Sequence, residues 1–388
     1  MRKRLKHIAI LLLIIVIFLG CKGLSEKKDN ESENESESIN AHISLLSPLK
    51  NDFADKFMLG NIFNPSDVSS SGVTNTMLIR HYNVLTAENN MKPNQLSTEK
   101  GVYNFSTADR MVNAAIASGF KVVGHTLLWH SQIPQWQQNI SSSTALEDMK
   151  KYITDVAGHF RGKIYSWDVI NEAFPDGGYS SSWKTSMRTD NPWFKAIGSD
   201  FVYEAFFAAR LADPGAILYY NDYNTDNQSK AAMIRDMVKE VNERYKKAYP
   251  NETRLLIEGI GMQEHHNTGV SANAIRNTLN MFKPLGVKIS VSELDVLIVT
   301  YQVFAPYGHG PNKQNSIKGI ARTSGLKEQA KLYGQYFKVY LEFSNIIERV
   351  SFWGVTDNQS WRSAALPLLF DENGYAKDAY YSVIETLK

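Results

Sequence analysis

Eight short apolar runs punctuate the chain from residue 57 onward: Phe57–Phe63, Tyr82–Glu88, Lys121–Trp129, Ile164–Glu172, Ile217–Tyr223, Leu256–Gln263, Lys288–Val296 and Val350–Asp357. Each run is close to continuous rather than alternating, which suits strands covered on both faces of a parallel sheet. Between the runs, apolar residues fall at helical spacing. Met111, Val112, Ala115 and Ile116 share one face and Gly119 follows, while Ser106-Thr107-Ala108-Asp109 has the form of a capping box ahead of them. Ile234, Met237, Val238, Val241 and Tyr245 make a second stripe, and Leu326, Ala330, Tyr333, Phe337 and Tyr340 a third. Stripes of this kind are core packing, and no chemistry is assigned to them. Strand and helix alternating eight times over roughly 340 residues predict an α/β fold, a single (β/α)8 TIM-barrel catalytic domain over residues 45–388. An open doubly wound sheet is the competing architecture, but no glycine-rich phosphate loop follows the first strand.

The strands share a second regularity. Nearly every one ends in groups able to bind or react: Glu88; Trp129 and His130; Asn171 and Glu172; Asn221, Asp222 and Tyr223; Gln263 and His265; Glu293 and Asp295; Trp353 and Asp357. The C-terminal strand ends of a (β/α)8 barrel converge on one face, where active sites are built. The pattern therefore predicts one polar cleft walled by tryptophans. Two glutamates from opposite sides of such a mouth, Glu172 and Glu293, could flank a glycosidic bond, one as proton donor and one as attacking group.

The first residues read differently. Arg2, Lys3, Arg4 and Lys6 precede an apolar run from Ile8 to Leu19, too short to span a bilayer comfortably and matching a signal peptide over residues 1–20. Phe18-Leu19-Gly20-Cys21 resembles a bacterial lipobox, although Phe18 stands where a smaller aliphatic residue is usual. Cleavage there would leave Cys21 as a diacylated N-terminus, and two acyl chains hold a protein durably to a membrane. Residues 21–44 are dominated by Ser, Glu, Asn and Lys and are expected to form a disordered tether. The expected location is thus outside the cytoplasm, lipid-anchored to a bacterial cell membrane. Cys21 is the single cysteine, which excludes internal disulfides, thiolate zinc sites and a cysteine nucleophile. Removing the four leader cations turns the formal charge of +2 into about −2. No basic stripe interleaves with aromatics, so no nucleic-acid partner is expected.

Three longer strings carry a family resemblance: Gly124-His125-Thr126-Leu127-Leu128-Trp129-His130, Trp167 through Ala173, and Phe352-Trp353-Gly354-Val355-Thr356-Asp357. Together they resemble family 10 glycoside hydrolases, mostly endo-1,4-β-xylanases, and the match runs from about residue 53 to 388. The resemblance implies a retaining enzyme with Glu172 as general acid/base and Glu293 as nucleophile. Asn171 would bond the 2-hydroxyl of the sugar being cleaved. His265 would orient Glu293, Asp295 would polarise His265, and Gln263 would complete the hydrogen-bond net. Glu88, Asn89, Lys92, His125 and Trp129 match the family's sugar-binding positions, and Trp353 and Trp361 its stacking residues. Outside the resemblance, Tyr223 is read as substrate-binding from its place at a strand end, the alternative being that Asn221, Asp222 and Tyr223 only shape the rim. The implied substrate is xylan or xylo-oligosaccharide, acted on by a monomer with no cofactor and no metal. The histidines 125, 130, 265 and 266 fit no metal-binding spacing. A β-1,4-glucanase of the same fold and a surface glycan-binding protein without catalysis are the alternatives.

Two features depart from the resemblance. Glu264 and His266 flank His265 where the family more often has a small polar and an apolar residue, and the extra carboxylate is expected near the cleft, acting on Glu172 or on a leaving-group subsite. Two long stretches without evident structure, 174–198 and 299–325, are expected to shape those subsites.

Overall fold

The computed structural model describes residues 38–68, 72–309 and 317–388. The leader, Cys21 and the polar stretch up to residue 37 lie outside the described residues. The chain divides into two compact units, 1–46 and 47–388. In the first unit residues 38–45 are helical, so the end of the stretch read as a disordered tether is ordered. Ile39, Ile43 and Leu46 explain this: they recur at i, i+4 and i+7 and give even this short segment an apolar face.

The second unit is built on eight parallel strands: β1 Met58–Phe63, β2 Val84–Ala87, β3 Lys121–Leu128, β4 Ser166–Asn171, β5 Ile217–Asp222, β6 Gly259–Met262, β7 Lys288–Val296 and β8 Ile347–Phe352. Each pairs with the next, and β8 pairs with β1, so the sheet closes into a (β/α)8 barrel. Seven strands fall inside the apolar runs of the sequence, whereas β8 begins at Ile347, ahead of the run read from Val350, and ends at Phe352. All are buried almost throughout, as strands sandwiched between an interior core and an outer helical layer must be. A two-residue strand, His265–His266, pairs with the far end of β7, setting His265 opposite Asp295.

The outer layer follows the helical stripes with four corrections. Ser106–Ala117 is a helix, but Ser106 is its first residue rather than its cap. Asn104 Oδ1 takes the Ser106 backbone N–H at 3.1 Å and its hydroxyl at 2.7 Å, so the asparagine outside the expected box holds the start of the helix. Met111, Val112 and Ala115 are buried as expected, whereas Ile116 is 41% exposed because it lies at the edge of the stripe. Residues 319–325, read as loop, begin the long helix Gly319–Glu342, and Pro192–Ile197 gives the 174–198 stretch a helix of its own.

Register shifts interrupt the ladders near the C-terminal strand ends, between His125 and Leu128, Asp168 and Ile170, and Val291 and Leu294. Such irregularities re-aim side chains next to active sites. Here they lie beside His125, Asn171 and Glu293.

Candidate active site

The C-terminal strand ends surround a cleft of about 730 Å³. Asn171, Glu172, Gln263, His265 and Glu293 line its floor; Glu88, Asn89, Lys92, His125, Trp129, Tyr223, Trp353 and Trp361 line its walls. Of the residues given a catalytic, supporting or sugar-binding role from the sequence, Asp295 alone does not line the cleft; it is fully buried behind His265.

Glu293, on β7, is buried with two partners. Asn221 Nδ2 donates to its Oε1 at 2.7 Å and His265 Nε2 lies 3.1 Å from its Oε2. Burial alone pushes this carboxyl up, but the His265 hydrogen bond, the charges of His125 and His265 and the Asn221 bond outweigh it. The net effect holds Glu293 below the ordinary glutamate range. Behind it, His265 Nδ1 lies 3.0 Å from Asp295 Oδ2. Burial disfavours the imidazolium, yet Asp295 and Glu293 on its two sides raise its pKa to about 9. As an imidazolium it donates from both nitrogens. Trp361 Nε1 and Arg362 Nη1 each donate to Asp295 at 3.1 Å. Burial pushes Asp295 up, but His265 and Arg362 bring it below the usual aspartate range.

Glu172 directly follows β4, in the left-handed region with φ of 56°. Its N–H donates to Asn221 O at 2.8 Å. Trp129 Nε1 donates to Oε2 at 2.9 Å, and Gln263 Nε2 and Asn171 Nδ2 donate to Oε1 at 2.9 and 3.3 Å. Asn171 also accepts from Asn221 Nδ2 at 2.9 Å. A pair of amides thus bridges the two glutamates, one bonded to each.

The sequence pattern assigned Asn221 no particular role among the strand-end residues, yet it is the hub. Ser292 Oγ donates to its Oδ1 at 2.6 Å, so its amide is oriented before it meets either partner. Gly261 leaves it room: a Cβ there would sit 2.2 Å from Asn221 Oδ1. A glycine facing an asparagine across neighbouring strands was the available signal, but the register had to be known to use it. Gly124 plays the same part on β3, where a Cβ would lie 2.2 Å from the Trp167 ring.

The walls divide in character. Lys92 is buried, its Nζ donating to Asn89 Oδ1 at 3.0 Å and lying 5.3 Å from the centre of the Trp129 ring. Burial pulls its pKa down, and Glu293, Glu88 and Glu172 pull it back only in part. Glu88 takes Asn64 Nδ2 at 2.6 Å. His125 Nδ1 lies 2.9 Å from the buried Asp168 carboxylate, and its ring meets Trp353 edge-on at 5.5 Å. On the other side, Arg188 donates to Tyr223 OH at 2.5 Å and Lys230 sits 3.5 Å from the centre of the Tyr223 ring. His309 stacks on Trp361 at 4.5 Å and 16°. Arg188, Arg362 and His309 were not singled out by the sequence pattern, because their partners lie 35 or more positions away.

Three predicted strand-end carboxylates turn elsewhere. Asp222 pairs with Lys230 at 2.9 Å and Asp357 with Lys377 at 2.8 Å, both buried. Glu264, expected to reach Glu172 or a leaving-group subsite, faces the helices instead and pairs with His266 at 2.7 Å. Its neighbour His265 takes the cleft side, and side chains alternate along extended chain.

A closed barrel with two glutamates bridged by amides at the floor of a tryptophan-walled cleft defines a protein of the glycoside-hydrolase class. The family model for glycosyl hydrolase family 10 matches residues 48–386, and the chain belongs to that family. Among curated relatives it is 35% identical over 354 residues to endo-1,4-β-xylanase A of Thermotoga neapolitana, covering 87% of this chain and 30% of the relative. It is 34% identical over 352 residues to exoglucanase XynX of Acetivibrio thermocellus, covering 87% of this chain and 29% of the relative. The chain thus spans under a third of the length of these two relatives. Among solved structures it resembles a family 10 xylanase with a bacterial Ig-like domain from termite gut, with a TM-score of 0.85 and 57% identity, over 89% of this chain and 78% of that one.

Proposed function

We propose that this chain is an endo-acting β-1,4-xylanase that hydrolyses xylan with retention of configuration. Glu293, held ionised, attacks the anomeric carbon while Glu172 delivers a proton to the departing glycosidic oxygen. Glu172 then takes a proton from water, which displaces Glu293 from the sugar. Asn171 is suited to hold the 2-hydroxyl, Trp353 and Trp361 to stack on sugar faces, and Glu88, Asn89 and Lys92 to bind a neighbouring ring.

The observation that carries the reading is the contrast between the two carboxylates. One is buried against an imidazolium that keeps it charged, and the other meets only uncharged donors, Trp129, Gln263 and Asn171. Attack needs the first state and proton shuttling suits the second.

The direct test follows the anomeric proton of the first product from xylo-oligosaccharide by NMR, with reducing ends counted in parallel on xylan. Release of the β-anomer, and loss of turnover in Glu293→Ala, are expected. An α-anomer as first product would refute the retaining mechanism. The relationship to an exoglucanase gives one specific reason to compare polymers: rates on xylan, carboxymethyl-cellulose and mannan should rank xylan first. For location, Cys21 supports a lipid anchor, and radiolabelled palmitate should enter the wild-type chain but not Cys21→Ser in a bacterial host.

A further inference from the structure

Glu264 and His266 are the two departures that the catalytic reading leaves unused. They flank His265, whose ring faces the cleft, and both of their side chains are buried on the opposite, helix-facing side. The Glu264 carboxylate gathers donors from three elements. His266 Nε2 lies 2.7 Å from Oε2, the Tyr340 hydroxyl on the helix Gly319–Glu342 donates to Oε2 at 3.2 Å, and Thr225 Oγ1 in the segment after β5 donates to Oε1 at 3.2 Å. Thr225 is itself held, its carbonyl accepting from Thr278 Oγ1 at 2.7 Å. The His266 ring packs on Tyr336 at 5.1 Å.

The backbone adds a second grip. Glu264 has φ of 59°, in the left-handed region that disfavours side chains with a Cβ. Its carbonyl accepts the Asp295 N–H at 3.4 Å, and the His266 carbonyl accepts the Leu297 N–H at 3.0 Å. Residue 265 is thus clamped on both sides against the segment of β7 that carries Glu293 and Asp295. A buried ion pair contributes little net stability, because desolvation offsets attraction, and its best-attested use is to specify one conformation.

We propose that Glu264 and His266 are positioning residues: their buried pair, anchored by Tyr340 and Thr225, holds His265 Nε2 on Glu293 in the geometry that attack requires. This rests on reading Glu293 as the nucleophile. The titratable groups facing the pair are Asp226, Asp295, Tyr336 and Tyr340. Those facing Glu293 are His265 from the two-residue strand after β6, His125 from β3 and Lys92 from the segment after β2, with Glu172 beyond the amide bridge.

The test compares kcat/KM against pH on xylo-oligosaccharide for wild type, Glu264→Gln and Tyr340→Phe, alongside Glu293→Ala. Loosening His265 removes the donor that offsets burial of Glu293, so the carboxyl rises and the acid limb of the profile moves up. A shift of about half a unit or more is expected in Glu264→Gln, which is about a threefold loss of rate on that limb. It should come with lower kcat and nearly unchanged KM. Tyr340→Phe, which removes one distant hydroxyl, should shift the limb the same way by less. If both profiles superimpose on wild type while only thermal stability falls, the pair is structural and the proposal is overturned. If Glu264→Gln fails to fold, Tyr340→Phe decides alone. Undiminished turnover by Glu293→Ala would instead overturn the nucleophile reading.

Discussion

Both ends of the barrel bury carboxylates among cations and polar side chains, yet only one end is a candidate for chemistry. At the base, where the strands begin, Glu348 accepts from Tyr165 and Tyr219 hydroxyls at 2.8 and 2.6 Å and pairs with Lys288. Beside it, Glu258 takes Arg254 on both oxygens, at 2.7 and 2.8 Å, and Arg210 at 2.5 Å. Both carboxylates find their donors within the protein, and these bonds tie strands to the segments beneath them. At the mouth, Glu172 and Glu293 are also hydrogen-bonded, but through donors that border an open cleft. Buried charge by itself marks nothing. What separates the two ends is whether the network has a face on which a substrate's oxygens could complete it.

The comparison breaks most visibly under removal of one carboxylate from each end. Glu293→Ala should lose turnover on xylan by at least the factor of about 10²–10⁴ that proton-transfer groups alone supply, with little change in thermal stability. Glu258→Ala should do the reverse. Stranding Arg210 and part of Arg254 without their acceptor should cost about 3 kcal/mol in denaturant unfolding, while kcat of the folded fraction stays within about twofold of wild type. If the two variants had interchangeable effects, the distinction between ends would fail.

The sequence made one side of this contrast legible and hid the other. Glu172 and Glu293 could be read because each closes an apolar run and lies in a distinctive local string, and the strand-end rule of the barrel puts both on one face. Seven of the eight strands were readable for the same reason: burial on both faces leaves an uninterrupted apolar signature. The start of β8 was not, because Glu348 and Arg349 interrupt its apolar pattern. The hub Asn221 was not, since its value depends on Asn171, Gly261 and Ser292 arriving from three other strands at a register shifted by bulges. Glu264 was placed on the wrong side for a related reason. A one-residue difference in facing reverses every assignment along extended chain, and the left-handed turn at 264 has no glycine or asparagine to announce it. The base network escaped notice because a lysine, a glutamate and tyrosines at strand starts look like ordinary solvated ends.

A second prediction sharpens the contrast through pH. His265 has its folded pKa raised to about 9 from an ordinary 6.5. A group with a raised folded pKa binds its proton more tightly when folded, so its stabilising contribution is complete below about 6.5 and is lost as pH climbs through about 9. Resistance to thermal unfolding should therefore fall progressively between those two values, and the same rise should deprive Glu293 of its charged donor. In His265→Asn the fall in melting temperature across that window should be shallower. An equally steep fall in the variant would place the titration elsewhere.

The smallest expected effect comes from one substitution made at both ends. Lys288 is half exposed at the base, and Glu348 keeps two tyrosine donors without it. Lys288→Met should cost about 0.5–1 kcal/mol at most, the usual worth of an exposed ion pair, with activity unchanged. Lys92 is buried in the cleft wall, where it already suffers the desolvation that lowers its pKa and has no carboxylate within ion-pair distance among the described residues. A cation held in that state costs stability rather than supplying it, so Lys92→Met should leave the fold as stable as wild type or slightly more so. Its loss should appear in xylo-oligosaccharide kinetics instead, as a drop in kcat/KM of about tenfold or more, the worth of a charge-assisted hydrogen bond to sugar. Stability lost with binding intact at residue 92 would mean that the cleft wall is held together in the same way as the base.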